Sequence, residues 1–540
     1  MKNWWRNISV VAGVSLCLVG CNAQSTKETL AKPSDKVTSF LQVNSEQGPI
    51  SGRSTGGLLY FRGIPYAEPP VGELRWRAPQ PALERKETLN AAGGFANRCY
   101  QRPQNQSWQK PEAYTQAESE DCLYMNIYRP DTDETDLPVM VWIHGGGLVN
   151  GAGSRPVNYG GNLARKNIVF VSFNYRLGTF GFFAHPELSR ENPDQGRLFN
   201  YGLMDQIAAL QWVQKNIRQF GGNPDNVTIF GESAGGYAVD MLVASQAKAG
   251  LFHKAISQSG YDRVVHPRVQ ALAADHHQVV EHKGTALAAA LGQPNATLAA
   301  LRQVPAAEIV KATNFDNFIA FAVDGVVVTE DVRSSFRDGK HARIPMLLGS
   351  TDLEFSMFAP EQQHKIMSDT LPADAMAELI PYYGSAQLRD TLLYSDYLFH
   401  AQARQLALYN NQAGLTNYVY RFGMPVTAMQ NIEMKDGLIY GAPHAGELPY
   451  MFGNFTGDHM ESTTPSEQER AVSDTMQTYW TNFAKYGNPN GPDDNAATLP
   501  HWPAYNAESN MIMRFTPEGT KAQADTWVER LDKVNSYIRY

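Results

Sequence analysis

One serine in the sequence is surrounded by the small residues that an exposed nucleophile needs. Ser233 is the centre of Gly231-Glu232-Ser233-Ala234-Gly235, which directly follows the apolar run Val227–Phe230. The pattern Gly-x-Ser-x-Gly is typical of a tight strand-to-helix turn, which accepts only small neighbours and lifts the serine oxygen out of the fold. A helix that begins at this turn also points its positive end toward the site. The pattern therefore predicts that Ser233 is a nucleophile.

A second cluster, His144-Gly145-Gly146-Gly147, follows the apolar run Pro138–Ile143. One interpretation is a flexible glycine turn. The other is an oxyanion hole, because glycines let main-chain N–H groups approach a negatively charged oxygen. The strand-like run before each motif and the order of the two motifs favour the oxyanion hole. Together the motifs predict nucleophilic attack on a carbonyl carbon.

Short apolar runs rich in β-branched residues precede these motifs and recur along the chain. Continuous apolar runs are typical of strands buried on both faces. Leu203–Ile217 has apolar residues at spacings of three and four, which predicts a helix. Strands that alternate with helices predict an α/β fold, with a large, mostly parallel sheet covered by helices on both faces and functional residues at the strand ends. The predicted strands are Pro138–Ile143, Ile168–Phe173, Val227–Phe230, Lys254–Ser257, Ile344–Leu348 and Tyr418–Tyr420, and helical insertions are predicted at about 262–310 and 360–415.

The composition excludes several classes of protein. The 540 residues are 43% hydrophobic and 19% charged, as in an ordinary globular protein and unlike a disordered chain. The net charge of −8 and the lack of a Lys/Arg run argue against a nucleic-acid partner. Four cysteines without a Cys-x-x-Cys pair predict neither a disulfide-rich scaffold nor a zinc site.

The N-terminus has the features of a targeting segment. Lys2 and Arg6 precede the apolar stretch Ile8–Gly20, which is shorter than the ~20 residues of a membrane-spanning helix and is typical of a secretory signal. Its end, Leu18-Val19-Gly20-Cys21, resembles the bacterial lipobox, in which the cysteine is acylated and becomes the new N-terminus. An ordinary signal peptide with an incidental cysteine is the alternative. We predict a signal peptide at 1–20 and a flexible tether at 21–40.

Export has consequences for location and for the remaining cysteines. A lipid on Cys21 would anchor the protein to a bacterial membrane, and Asn22 after it favours the outer membrane on its periplasmic side by resemblance to lipoprotein sorting. Cys17 lies in the removed segment, which leaves Cys99 and Cys122. In an oxidising compartment the simplest expectation for such a pair is a disulfide.

Two longer segments of the sequence, Glu120–Ile127 and Phe220–Gly235, resemble throughout the two signatures of the type B carboxylesterases, the α/β-hydrolase branch that includes the cholinesterases. The resemblance runs from about Val43 to Arg514. It implies one catalytic domain at 41–540 with the α/β-hydrolase fold, which hydrolyses carboxylic esters without a metal or an organic cofactor. Shorter matching segments are Phe61–Ala67, Asn174–Gly178, Asn200–Leu203 and Phe483–Asn490.

The resemblance also implies a Ser-Glu-His triad. The acid of the family lies five residues past a glycine that ends a strand, and Gly349 places Glu354 there. Phe355 follows where the family usually has glycine, and Asp352 is the rival acid. The histidine maps to His444.

The resemblance assigns further residues around the triad. Glu447 stands where the family often has aspartate. The main-chain N–H groups of Gly146, Gly147 and Ala234 are expected to form the oxyanion hole, and Ser259 is expected to lie near the acid. Cys99 and Cys122 are expected to form a disulfide. Trp108 or Tyr114 is expected either to line the entrance to the site or simply to pack against its own loop.

Two other functions fit the same fold. A catalytically inactive binding protein would lack triad residues, whereas all three positions are filled here. A lipase that acts on membrane lipid would need an exposed apolar patch around the site. The expected partners are a small ester substrate and, through the lipid, a membrane.

Overall fold

The computed structural model describes residues 40–538 apart from internal gaps. The predicted signal peptide, Cys21 and nearly all of the predicted tether lie outside the described residues, as do Trp108, Tyr114 and Phe355. The segments that are not described are 1–39, 102–115, 246–249, 261–265, 267–268, 270–279, 315–317, 319, 355–359, 426–432, 435–436, 439–440, 456–463, 493–498 and 539–540.

An eleven-stranded sheet forms the centre of the described part, in the order β18-β17-β14-β13-β12-β11-β9-β10-β8-β4-β3. From β17 to β10 every neighbouring pair is parallel. The strands are β1 (Gln42–Ser45), β2 (Gly48–Ser51), β3 (Arg53–Thr55), β4 (Leu58–Pro65), β5 (Leu89–Asn90), β6 (Arg98–Cys99), β7 (Glu118–Ser119), β8 (Tyr124–Pro130), β9 (Leu137–Ile143), β10 (Val169–Phe173), β11 (Gly222–Glu232), β12 (Lys254–Gln258), β13 (Met346–Thr351), β14 (Asn417–Phe422), β15 (Glu433–Met434), β16 (Gly437–Leu438), β17 (Met511–Thr516) and β18 (Gly519–Ala524).

The predicted parallel sheet is confirmed for its centre, whereas both edges are antiparallel. Strands β8, β4 and β3 continue from β10 in antiparallel pairs, and β17 and β18 form a hairpin. Antiparallel neighbours can be joined by a short turn, while each parallel pair needs a crossover that is usually a helix. The outermost pairs, β3–β4 and β17–β18, are each joined by a short turn and lack the strand–helix alternation on which the prediction relied.

Helices cover the sheet and form the two predicted insertions. The predicted helix Leu203–Ile217 is confirmed as α4. The α-helices are α1 (Gly161–Ala164), α2 (Gly178–Gly181), α3 (Pro186–Glu191), α4 (Tyr201–Asn216), α5 (Ala234–Ala244), α6 (His282–Ala290), α7 (Leu298–Arg302), α8 (Ala306–Ala312), α9 (Val332–Arg337), α10 (Pro360–Thr370), α11 (Ala373–Glu378), α12 (Ile380–Tyr383), α13 (Ala386–Ser395), α14 (Ala401–Gln412), α15 (Leu448–Met451), α16 (Glu467–Tyr486) and α17 (Val528–Asn535). No helix in the described ranges is both long and apolar enough to span a bilayer.

The core lies on both faces of the sheet, as the continuous apolar runs predict. Strand β9 shows the division, because successive side chains point to opposite faces. Val139 and Val141 pack in the cluster that contains buried side chains of α4 and α5. Met140 and Trp142 pack in the cluster on the other face, which contains those of α16. The central strands are therefore buried on both faces of the sheet. The site lies at the carboxyl ends of these strands.

Candidate active site

Ser233 stands at the turn between β11 and α5, with φ 58° and ψ −125°. This left-handed conformation is costly for a residue with a side chain and persists only where the surroundings enforce it. They do so here because strand β9 lies very close to the turn. A Cβ on Gly235 would lie 2.0 Å from the main-chain oxygen of Ile143. The predicted tight turn with small neighbours is therefore what the structure contains.

The structure brings Ser233, His444 and Glu354 into one hydrogen-bonded line. His444 Nε2 lies 2.7 Å from Ser233 Oγ, and His444 Nδ1 lies 2.5 Å from Glu354 Oε2. The three residues come from three separate places in the chain: Ser233 follows β11, Glu354 comes just after β13, and His444 lies in the loop before α15. A hydroxyl, an imidazole and a carboxylate in this order can activate the hydroxyl as a nucleophile.

Glu354 is buried and held on its second oxygen as well. Its Oε1 accepts hydrogen bonds from Ser259 Oγ and from the main-chain N–H of Thr351, each at 2.7 Å. Ser259 thus lies beside the acid, as the resemblance implies. Burial alone would raise the pKa of Glu354, but the hydrogen bond and charge of His444 lower it below its usual value. The carboxyl group is therefore held ionised, which suits an acid that orients a histidine.

The rival acid, Asp352, does not join this line. Its two carboxylate oxygens accept hydrogen bonds from Arg514 Nη1 and Nη2, at 2.5 and 2.8 Å. Such a bidentate pair fixes the carboxylate away from other partners. Thus the geometry distinguishes two acids only two residues apart, which the sequence leaves open.

Two further carboxyl groups, Glu232 and Glu447, surround His444. Glu232 Oε1 lies 3.3 Å from His444 Nε2, and Glu447 Oε1 accepts a hydrogen bond from Gln258 Nε2 at 3.1 Å. Burial raises the pKa of both groups, and their mutual repulsion with Glu354 adds to it. Burial alone would lower the pKa of His444, but the charges of Glu232 and Glu354 raise it to about 9.

Sequence reasoning assigned no role to Glu232 or Glu447 beyond their places in the motifs. The available signal was a charged residue within a run that is otherwise small and apolar. Such a residue must be buried with its neighbours, and a buried carboxyl group next to a histidine changes that histidine's proton affinity.

The glycine turn after β9 lies next to Ser233, since β9 and β11 are parallel neighbours with Ile143 opposite Gly231. A Cβ on Gly145 would come within 3.2 Å of Ser233 Cβ. Gly146 and Gly147 have φ of 109° and 64°, which a side chain would disfavour.

The main-chain N–H groups beside the serine are available for a ligand. Those of Gly146, Gly147 and Ala234 donate to no acceptor within the described segments. Three free donors beside a nucleophile are what binding of an oxyanion requires. The three residues named by the resemblance therefore lie next to Ser233 or in the neighbouring glycine turn, and the oxyanion role stays a prediction.

His144 belongs to this turn and not to the line of proton transfer. Its Nδ1 lies 2.9 Å from the main-chain oxygen of Gly145, and its ring stacks on Tyr175 with centroids 4.4 Å apart. Burial lowers the pKa of His144 to about 4, so the ring is neutral. Tyr175 OH also donates to the His144 carbonyl at 2.7 Å, which fixes the turn.

The predicted disulfide is present, with the Cys99 and Cys122 sulfur atoms bonded to each other. Both cysteines are buried, and Cys122 lies just before β8. The bond thus ties the segment before the first gap to the edge of the sheet. Within the residues that are described, no cluster of His, Cys, Asp and Glu has the arrangement of a metal site.

Comparisons with known proteins agree with this geometry. The family model described as "Carboxylesterase family" matches residues 39–388 and 383–532. The para-nitrobenzyl esterase of Bacillus subtilis (strain 168) is 34% identical over 89% of this chain and 97% of its own length. Human cocaine esterase is 32% identical over 93% and 91%, and the fumonisin B1 esterase of Sphingopyxis macrogoltabida is 31% identical over 95% and 93%.

Solved structures give the same result. A PNB esterase superposes with a TM-score of 0.77 at 32% identity, covering 92% of this chain and 99% of that one. A Geobacillus stearothermophilus carboxylesterase superposes with a TM-score of 0.74 at 27% identity, covering 91% and 99%. These matches span nearly the whole chain, the fold is that of the α/β-hydrolases, and the chain belongs to the carboxylesterase family as a carboxylic ester hydrolase.

Proposed function

We propose that this esterase works through an acyl-enzyme on Ser233, with His444 as the general base and Glu354 as the acid that orients it. The observation that supports this is the continuous line of hydrogen bonds from Ser233 Oγ through His444 to Glu354. Beside Ser233 lie three main-chain N–H groups that donate to no acceptor among the described residues. Each residue in the line has one task, which follows from its protonation and its partners.

The first half of the reaction forms the acyl-enzyme. His444 Nε2 takes the Ser233 proton as Oγ attacks the ester carbonyl, and Glu354 stabilises the resulting imidazolium. The N–H groups of Gly146, Gly147 and Ala234 bind the oxygen that becomes negative, and loss of one such donor typically costs ~10²–10³ in rate. The imidazolium then gives its proton to the leaving alcohol, while Ser233 retains the acyl group.

The second half repeats these steps with water. His444 takes a proton from the water that attacks the acyl carbon, and the same donors hold the second tetrahedral intermediate. Collapse of that intermediate returns the proton to Ser233 and releases the carboxylic acid. The cycle therefore needs no group beyond these side chains and main-chain donors.

Replacement of the nucleophile tests this mechanism. Ser233→Ala removes one oxygen from a turn whose backbone is fixed by its neighbours, so the variant should fold and lose nearly all hydrolysis of p-nitrophenyl acetate. Ser368, an exposed serine of α10, offers a control, because Ser368→Ala should keep full activity. An organophosphate should label the wild type on the peptide that contains Ser233. Activity that survives in Ser233→Ala, or label on another residue, would exclude the mechanism.

We further propose a small ester as the substrate. His444 is only 13% exposed and Glu354 is fully buried, so the reacting ester must enter the fold to meet Ser233. A panel of p-nitrophenyl esters of increasing acyl length should show the highest kcat/KM for short chains. A rise toward long chains, together with activation by lipid vesicles, would indicate the lipase alternative.

We also propose that the protein is exported and anchored to a bacterial membrane by lipid on Cys21. Support comes from the lipobox-like Leu18–Cys21 and from a disulfide, which an oxidising compartment favours. Cys21→Ser should block processing or release the enzyme from the membrane fraction, with unchanged activity per molecule. Cys17→Ser is the control and should remain anchored. A wild-type enzyme found in the soluble fraction, without lipid on its N-terminal peptide, would contradict the proposal.

A further inference from the structure

A second buried histidine–carboxylate pair lies behind the triad. His400 ends a π-helical turn, Asp396–His400, between α13 and α14. Its Nδ1 lies 2.7 Å from Asp396 Oδ1, and its Nε2 lies 2.7 Å from the main-chain oxygen of Thr351. The side chains of His400 and Asp396 are 1% and 0% exposed. π-Helical turns are rare and often occur at functional sites.

Both ring nitrogens of His400 face groups that can only accept a hydrogen bond. The carbonyl of Thr351 has no proton to give. Asp396 is ionised: burial alone would raise its pKa, but the guanidinium of Arg530 holds that pKa below its ordinary value. Arg530 Nη2 and Tyr383 OH donate to Asp396 at 3.2 and 2.6 Å. A neutral imidazole has one N–H, so both of these hydrogen bonds form only when His400 carries a proton on each ring nitrogen.

Buried charges of both signs surround His400. The carboxylates that face it come from two other elements and from its own turn, and the positive groups near them are two guanidiniums and His444 of the triad. An imidazolium at His400 would be in direct contact with the carboxylate of Asp396, so its burial would not leave an unpaired charge. The negative groups are Asp396, Asp525 and Glu354, and the guanidiniums are those of Arg421 and Arg530.

Thr351 joins this pair to the acid of the triad. It is the last residue of β13, and its N–H donates to Glu354 Oε1 while its carbonyl accepts from His400. The strand end that holds Glu354 is therefore fixed from both sides. The π-helical turn also contacts the triad through Phe399, whose ring centroid lies 5.3 Å from that of His444.

From this juxtaposition we infer that His400 is a buried imidazolium that positions Glu354 and keeps it ionised while His444 gains and loses its proton. The inference rests on the proposed roles of Glu354 and His444. His400 is a positioning residue, because it touches neither the substrate nor Ser233 and acts through Thr351 and through its charge.

The activity test replaces His400 with a neutral residue. His400→Gln should lower kcat for p-nitrophenyl acetate at pH 7 by about tenfold, with KM within about twofold, because ground-state binding is untouched. Removing a positive charge raises the pKa of every nearby group, so the acidic limb of the kcat profile should move to higher pH by about one unit.

A matched control and a site count accompany this variant. His364 forms an exposed pair with Asp390 on α10 and α13, and His364→Gln should change neither value. The fraction of competent sites is measured by organophosphate labelling, so that kcat refers to intact serines only. Unchanged kcat and an unchanged pH limb in His400→Gln would overturn the inference.

A measurement on the wild type does not depend on the variant's folding. Neutron diffraction from deuterated wild-type crystals at pH 8 should show deuterium on both ring nitrogens of His400. A single deuterium would refute the imidazolium. The proposed mechanism is tested independently of this inference. It would be excluded if the organophosphate did not label Ser233, whatever the protonation state of His400.

Discussion

Two buried histidines lie at the same carboxyl edge of the sheet, yet their pKa values are shifted in opposite directions. His144 follows β9, stacks on Tyr175 and has a pKa of about 4. His444 faces Glu232 and Glu354 and has a pKa of about 9. Desolvation alone favours the neutral ring in both cases. The difference therefore lies in the carboxylates, which make one buried ring a strong base and leave the other a fixed part of a turn.

The largest expected effect comes from replacing each of the two rings with a residue that cannot transfer a proton. His444→Gln should lower kcat/KM for p-nitrophenyl acetate by about 10³-fold or more, because no other base in the described part of the chain forms a hydrogen bond with Ser233 Oγ. His144→Phe keeps the stack on Tyr175 and should cost less than about tenfold. Steady-state kinetics on both variants measure the contrast. Comparable losses in the two would mean that His144 takes part in proton transfer.

The second contrast concerns the acid that makes His444 basic. Glu354→Gln keeps the size of the side chain but removes the charge that stabilises the imidazolium, so kcat should fall by several hundredfold. Asp352→Asn removes an ion pair with Arg514 that is not part of the Ser233–His444–Glu354 line, so it should change kcat by less than about fivefold. The reverse order of the two effects would assign the acid to Asp352.

A finer test removes a charge without touching the triad. Glu232→Gln takes away a carboxylate 3.3 Å from His444 Nε2, so the pKa of His444 should fall toward its ordinary value. A lower pKa keeps the base deprotonated in more acidic solution. The acidic limb of kcat/KM against pH should move down by about one unit or more. A limb that stays in place would show that Glu232 carries a proton throughout the working range.

The smallest effect applies the same rule to an acid. Asp240 on α5 is 2% exposed and accepts one hydrogen bond, from Ser257 Oγ, and burial raises its pKa to about 8. In the unfolded chain it ionises near pH 4. Folding therefore binds a proton between these values, so stability is lost as the pH rises from about 4 to 8.

Asp240→Asn has the shape of the protonated acid and tests this dependence. It should melt like the wild type near pH 4 and at a temperature several degrees higher at pH 8, as measured by circular dichroism. A melting difference that is equal at both pH values would contradict an ionisation effect and would point to packing alone.

The parts of the molecule that local sequence decides were predictable, and the parts that distant contacts decide were not. The central strands and α4 follow from apolar patterning, and the turn at Ser233 follows from small residues. Asp352 and Glu354 share a segment, and only Arg514, 162 residues away in the chain, separates their roles. His400 was one of thirteen histidines, and its two acceptors come from its own turn and from the end of β13.

The close approach at the turn around Ser233 also indicates where substitutions are permitted. A methyl group on Gly231 would lie 2.5 Å from the main chain of Gly235, and one on Gly235 would meet Ile143. Both obstacles are backbone, which cannot rotate aside as a side chain can. The Ser233 side chain, in contrast, projects away from the turn and does not meet this backbone. A library built to alter the enzyme's substrate range should therefore hold these two glycines constant and place its diversity elsewhere, since neither position has room for a side chain.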